Sequence, residues 1–431
     1  MTTAQLIGPF TQALTLRDLP LFGALRDDQL EVISEAGVVV EKGRILEIGE
    51  WRALFTRAEG EGWAIRRVEE IFEQRGQRCP ANLILTPGLI DAHTHICYAG
   101  SRSRDYADRL NGISYEEISA RGGGIRDTMR HTREASEDQL FRLNHLRLTE
   151  LLGRGVTTVE IKSGYGLSVE DELKQLHAIK RLGESGLSRV VPTCLAAHVL
   201  PPEFRGEGRD RHQDYLEFIL GSLLPTVKER GLATRVDAFI EPSAFPVELA
   251  RPYLKRAQDM GFDLTIHADQ FSRGGAKLAA ELGARSADHL EASKREDLEA
   301  LMARGVSAVA LPGASLGLGI GFTPVREALD LGLSVAIASD WNPGSAPMGH
   351  LLLQASILGA AEKLSAAEVW TGITIRAAHA LGLELIGALD RKFAADMIAF
   401  PCDDYREILY HQGMLSPSLV IMKGEALFGE L

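Results

Sequence analysis

Leu83-Ile84-Leu85-Thr86-Pro87-Gly88-Leu89-Ile90-Asp91-Ala92-His93-Thr94-His95 is an apolar run that Pro-Gly interrupts and two histidines close. Residues i and i+2 of an extended strand point to one side. The two imidazoles therefore face one way at a strand end, where they can share a cation. Neutral imidazole suits zinc, iron and their neighbours. An isolated His-x-His is equally well a pair of surface residues beside a turn. Its weight here comes from the strand before it and from ligands further along the chain.

Downstream, β-like runs alternate with helical ones. With 83–95 as the first, the strand candidates are 156–162, 189–198, 234–241, 263–267, 286–289, 306–311 and 334–340. Between them, 139–152 sets Leu140, Leu143, Leu146 and Leu151 on roughly one stripe, and 171–182 does so with Leu173, Leu176 and Ile179. Ser168 suits the N-cap of the second helix. A third helix is expected over 295–304. A helix between successive strands implies parallel strands and right-handed crossovers. Eight such units predict a closed (β/α)8 TIM-like barrel, not an open doubly wound sheet.

The flanks read differently. Residues 37–49 look like a hairpin around Lys42-Gly43, and 396–400 and 418–425 are β-like. Neither end holds enough strands for a core of its own. The expectation is a small β-sandwich domain built from both chain ends, 1–82 with 391–431, beside a barrel at 83–390. Residues 8–28 and 54–80 are charged and irregular, and their pattern gives them no place.

With 431 residues, 45% apolar and 25% charged, the chain has the composition of a soluble globular protein. A net charge of −12 makes it a poor general binder of nucleic acid or anionic membranes. It leaves room for a local basic pocket that takes a small anion. Cys79, Cys97, Cys194 and Cys402 are scattered and form no CxxC pair, which argues for a reducing compartment. No basic start precedes an apolar core, and no apolar run approaches ~18 residues. A cytoplasmic location is the expectation.

Chemistry in such a barrel sits at the carboxyl ends of the strands. Those ends carry His93 and His95, Lys162, His198, Glu241, His267, His289 and Asp340, whereas the seventh ends in Pro312-Gly313. Each alone is more often structural. Together they describe one mouth lined by ligands and acid–base groups.

The pattern resembles the amidohydrolase superfamily of metal-dependent hydrolases, through Pro87-Gly88-x-x-Asp91-x-His93-x-His95, His267, His289 and Asp340. Within it, several stretches resemble the imidazolonepropionase family of histidine degradation. These are Gly122-Gly123-Gly124-Ile125, Glu160-x-Lys162-Ser163-Gly164-Tyr165-Gly166, Ala197-His198-x-x-Pro201-Pro202-Glu203, His267-Ala268-Asp269-Gln270, Ser286-Ala287-Asp288-His289-Leu290 and Asp340-x-Asn342-Pro343-Gly344-Ser345. That family converts 4-imidazolone-5-propanoate and water to N-formimidoyl-L-glutamate.

The resemblance implies one divalent metal per chain, zinc or iron, on His93, His95, His267 and Asp340, with a position left for water. It gives Asp340 the water proton and its delivery to the leaving nitrogen, and His289 a donor or acid–base role. It implies Arg102 as a carboxylate clamp, with Arg104 the local rival. Tyr115, Tyr165, His198 and Gln270 would contact the substrate, as would the Asn342, Gly344 and Ser345 turn. Some members carry Glu where Gln270 stands, and an amide cannot take a proton as a carboxylate does. Asp288 is expected to point away from His289. The loop 101–125 is a candidate lid, and a homodimer is expected.

Two other readings stand beside this one. Glu241 could help hold a second metal in a related cyclic amidohydrolase or deaminase. A barrel that only binds a small anion is disfavoured by the intact ligand set. Lys162 ends the second strand, where pairing with nearby acids is expected, not the bridging carboxylated lysine that related barrels carry on the fourth.

Overall fold

The computed structural model describes residues 4–113, 117, 121–206 and 209–427. The opening stretch proves to be two strands. Ile84–Pro87 pairs with both chain ends, in parallel with Gln5–Leu14 and antiparallel to Met397–Phe400. Leu89–Asp91 leaves in another sheet. Gly88 joins them because a Cβ there would lie 2.1 Å from Thr157 Oγ1, so only glycine lets the first barrel strand approach its neighbour.

The barrel strands are β1 (Leu89–Asp91), β2 (Val156–Lys162), β3 (Arg189–Ala197), β4 (Arg235–Ile240), β5 (Asp263–Ala268), β6 (Ser286–His289), β7 (Ser307–Ala310) and β8 (Val335–Ile337). Each pairs in parallel with the next, in sequence order. The ring closes just beyond β1 and β8. Thr94 bridges Trp341 in parallel, the Asp340 N–H donates to the His93 carbonyl at 3.0 Å, and the His95 N–H donates to the Trp341 carbonyl at 2.9 Å. The segment bearing the histidine pair is thus the seam of the barrel, which fixes it against Asp340.

Alternation along the strands decides the rest. Val159, Ile161, Val236, Ala238, Leu264, Ile266 and Ala287 join the large apolar core that includes Leu148, Leu176, Ile179 and Leu254 of the surrounding helices. The intervening residues Glu160, Lys162, Asp237, Thr265, His267, Ser286 and Asp288 are polar and buried. The helices start where their caps allow. Ser136 forms a capping box with Gln139 before Glu137–Gly153, and Ser168 caps Val169–Glu184. No helix among the described residues is long and apolar enough to cross a membrane.

Both chain ends build one further eight-stranded sheet. Its hairpin, Val32–Glu41 with Arg44–Glu50, turns through Lys42 and Gly43, whose φ values of 50° and 74° suit a tight two-residue turn. Ile7, Phe10, Val38, Ile45, Phe72, Met397 and Ile421 share its core.

Candidate active site

His93 and His95 leave β1 side by side, and His267 comes from β5. Their Nε2 atoms converge, His95 standing 3.1 Å from His93 and 3.2 Å from His267. Asp340 Oδ1 lies 3.6 Å from His93 Nε2 and 3.4 Å from His95 Nε2. Tetrahedral ligands at about 2.0 Å from a metal sit about 3.3 Å apart, so these separations fit one ion. Among the described residues, the three histidines are the one cluster with such geometry. Burial, then the charge of neighbouring groups, holds His93 and His95 far below the usual imidazole range. Burial also lowers His267 against the pull of Asp237. Neutral nitrogens converging at this range suit a shared cation.

The outer nitrogens explain the buried acids. His93 Nδ1 donates to Asp288 Oδ2 at 2.6 Å, and His267 Nδ1 lies 2.9 Å from Asp237 Oδ2. A carboxylate behind a metal-binding histidine fixes its tautomer and leaves Nε2 free to ligate. Between the carboxylates sits Lys162, fully buried, 2.9 Å from Asp237, 3.8 Å from Asp288 and 2.7 Å from Glu160. Lys162 is therefore the counter-charge of three acids, the pairing expected from its place on β2.

Asp288 corrects one expectation. Strand alternation would turn it away from His289, yet it faces the barrel interior and His289 faces the cavity. The strand ends at His289, whose φ is 84°, followed by Leu290 at 69°. Two successive left-handed residues break the alternation and let both neighbours serve the site.

Asp340, at φ 50°, is pushed up to about 7 by burial, against the pull of His289 and Asn342. Its carbonyl accepts from Asn342 Nδ2 at 2.8 Å. Asn342 Oδ1 accepts the N–H groups of Gly344 and Ser345, both at 2.8 Å. The Asn342 amide is thus spent on the turn, which presents Gly344 and Ser345 to the cavity. Burial lowers His289, but Glu291 Oε1, 3.4 Å from its Nδ1, outweighs that with help from Asp340 and raises it. The sequence reading missed Glu291, although His289-Leu290-Glu291 was the available signal. It missed Asp237 too, a lone acid within an apolar strand.

A cavity of about 1110 Å³ opens over the cluster. His95, Arg102, Tyr165, His198, His267, Gln270, His289, Asp340, Asn342, Gly344 and Ser345 all line it, whereas His93 lies wholly beneath. Tyr115 lies outside the described residues. Arg102 Nε bonds Asp105, which also accepts the Gly124 N–H at 2.9 Å, so the guanidinium is tied to the glycine-rich turn. His198 Nδ1 donates to the Gly164 carbonyl at 3.0 Å, and its ring stacks on His95. Burial pushes His198 down to about 4, so it stays neutral with Nε2 as acceptor. Burial keeps Tyr165 protonated, a phenolic donor. Arg104, the rival of Arg102, does not line the cavity.

Glu241 does not turn to the histidines. Its Oε1 accepts from the N–H groups of Phe271 and Ser272 at 2.8 and 3.1 Å, and its Oε2 accepts from the Ser272 hydroxyl at 2.5 Å. It pins the loop that carries Gln270, whose side chain makes no hydrogen bond among the described residues.

A parallel barrel with converging histidines and an aspartate at its mouth defines a metal-dependent hydrolase, and residues 84–427 match the model of the Amidohydrolase family. An imidazolonepropionase of Bdellovibrio bacteriovorus is 38% identical over 409 residues, which cover 94% of this chain and 92% of that protein. One of Bacillus velezensis is 40% identical over 408 residues, with the same coverage. The chain belongs to the amidohydrolase family and, within it, to the imidazolonepropionases. Among solved structures, the guanine deaminase of C. acetobutylicum shares the fold at TM-score 0.65 and 16% identity, covering 99% of this chain and 100% of its own. The zinc complex of the Arthrobacter aurescens atrazine chlorohydrolase does so at TM-score 0.65 and 18% identity, over 98% and 95%.

Proposed function

We propose that this chain opens the ring of 4-imidazolone-5-propanoate with water to give N-formimidoyl-L-glutamate. The observation that carries the reading is one cavity that brings His95, His267 and Asp340, with His93 beneath them, together with a guanidinium, Arg102. A divalent metal, zinc or iron, would be held by those four residues and would make bound water acidic enough to attack near neutral pH.

The chain's own residues do the rest. Arg102, its Nε fixed by Asp105, offers its remaining N–H groups to the propionate. His198 Nε2 accepts a ring N–H, and Tyr165 and the Gln270 amide donate to the ring. The Gly344–Ser345 turn lets the ring come close. Asp340 takes a proton from the attacking water as its oxygen bonds the ring carbonyl carbon. As an imidazolium beside Glu291, His289 donates from Nε2 to the carbonyl oxygen, where negative charge develops. The bond from that carbon to the ring nitrogen breaks, and Asp340 delivers its proton to the nitrogen. The amide at Gln270 has no part in this traffic, which suits a residue unable to act as a base.

A single metal is part of the proposal, because both oxygens of Glu241 are engaged by the 271–272 backbone and hydroxyl. A homodimer and a cytoplasmic location are further parts, the latter in keeping with free thiols at all four cysteines. Loss of the imidazolone ultraviolet absorbance on adding enzyme, with chelator-treated protein as control, tests the reaction. Persistence of the absorbance with metal-loaded protein would overturn it. Sedimentation equilibrium tests the dimer.

A further inference from the structure

His289 stands at a turn that two non-glycine residues hold in the left-handed region, His289 at φ 84° and Leu290 at 69°. Such backbone persists only where its surroundings enforce it. Here the loop after β7 does so. The Thr323 hydroxyl donates to the His289 carbonyl. Ser315, in the helix Pro312–Leu318, donates from Oγ to Glu291 Oε1 at 3.2 Å. The turn sends residues 289 and 291 to the same side, so that Glu291 Oε1 lies 3.4 Å from His289 Nδ1. The Glu291 side chain is only 3% exposed, and its Oε2 is buried with no partner among the described residues. Among the described residues, no lysine or arginine forms an ion pair with this carboxylate. Its visible partners are His289 and Ser315, and an unpaired buried carboxylate is costly to keep.

We infer that Glu291 is a positioning residue for the reaction, holding His289 with Nδ1 as donor and Nε2 toward the cavity, and that Ser315 holds Glu291. This rests on the role of His289 proposed above. It also gives the seventh strand a function that its own end, Pro312-Gly313, does not reveal. A carboxylate behind an imidazole sets its ring orientation, and loss of such a partner behind a metal-binding histidine lowers activity by about 10–100-fold.

The test is a double-mutant cycle on the metal-loaded, full-length enzyme, followed by imidazolone absorbance. Glu291→Gln keeps the size and removes the charge. It should lower kcat by about 10–100-fold while leaving KM within about twofold, because Glu291 touches no substrate. Glu291→Asp should recover much of the loss, and Ser315→Ala should show a smaller loss of the same kind. In the His289→Ala background, Glu291→Gln should change kcat by less than about twofold, since a residue acting through another has nothing left to position. Equal kcat losses from Glu291→Gln in both backgrounds would overturn the inference and leave the role of His289 standing. Parent-like turnover by His289→Ala would overturn both. If Glu291→Gln fails to fold, the same cycle is run with Ser315→Ala, and additivity there overturns the inference equally.

Discussion

Lys162 Nζ lies 2.9 Å from Asp237 Oδ2 in the barrel interior, and both side chains are wholly buried. The pair is one arm of a chain of contacts. Asp237 stands behind His267, Asp288 stands behind His93, and the same ammonium lies within 3.8 Å of Asp288. One positive charge therefore serves both histidine-bearing sides of the metal site. Opposite charge and burial act against each other on these groups. For Lys162 burial favours the neutral amine, but Asp237 and Glu160 prevail and raise it above its ordinary value.

Lys162→Met should expose that dependence. It leaves Glu160, Asp237 and Asp288 buried without the ammonium they share, and breaking a buried pair in this way costs about 3–5 kcal/mol. The two histidines lose the orientation of their Nδ1 protons, so metal affinity should fall by about 10–100-fold. Denaturant unfolding and competition with a chelating dye measure the two effects separately. Unchanged stability together with unchanged affinity would refute the coupling.

Glu241 supplies a contrasting prediction. Because it pins the backbone of 271–272 and does not face the histidines, Glu241→Gln should leave metal content at about one equivalent per chain, the number one such ligand set accepts. Its effect should fall on kcat/KM through Gln270, by about tenfold, since each hydrogen bond to a charged group contributes about 1.5–3 kcal/mol. Elemental analysis of the parent showing two equivalents, one of them lost in the variant, would make Glu241 a ligand after all.

The chemistry of the mouth was legible because residue types at strand ends report it directly. His93, His198, His267, His289 and Asp340 each close a short β-like run, and the barrel places strand ends together. What stayed hidden depends on pairing and backbone sign. The run from Leu83 to His95 does not say that Ile84–Pro87 pairs with Met397–Phe400 while Leu89–Asp91 pairs with β2. Asp288 was turned the wrong way because alternation assumes negative φ, and His289 violates it. The irregular 8–28 segment gains its place from far away. Arg376 donates to the carbonyls of Pro20 and Gly23, more than 350 residues distant in sequence. The end of Gln5–Leu14 lies in the same segment, and that strand runs through the centre of the second sheet. No local pattern encodes such contacts.

Gln270 separates hydrogen bonding from proton transfer. If its amide only holds the ring, Gln270→Ala should cost a single neutral hydrogen bond, about 0.5–1.5 kcal/mol, or at most about tenfold in kcat/KM. A loss of about a thousandfold would assign position 270 a part in the chemistry and would contradict the proton path through Asp340 and His289. Steady-state kinetics on the metal-loaded protein decides between them.

Arg102 is the most specific prediction, because it concerns which substrate is taken and not whether water is activated. Its Nε is fixed by Asp105, so in the proposed clamp its remaining N–H groups would meet the propionate in a set orientation. Arg102→Lys keeps the charge and loses the planar fork, and Arg102→Met loses both. Charge-assisted hydrogen bonds contribute about 1.5–3 kcal/mol each. Arg102→Met should therefore lower kcat/KM by at least about a hundredfold, with Arg102→Lys between it and the parent. Metal content should stay at the parent level in both, since Arg102 touches none of the four proposed ligands. Asp105→Asn, which keeps the guanidinium but frees it, should show a smaller loss in the same direction. Parent-like kcat/KM in Arg102→Met would remove Arg102 from the clamp and transfer the carboxylate to another arginine of the wall, of which Arg109, Arg126 and Arg205 are present. Arg109 already donates to the carbonyls of Gly317 and Gly344, so Arg126 would be the next to substitute.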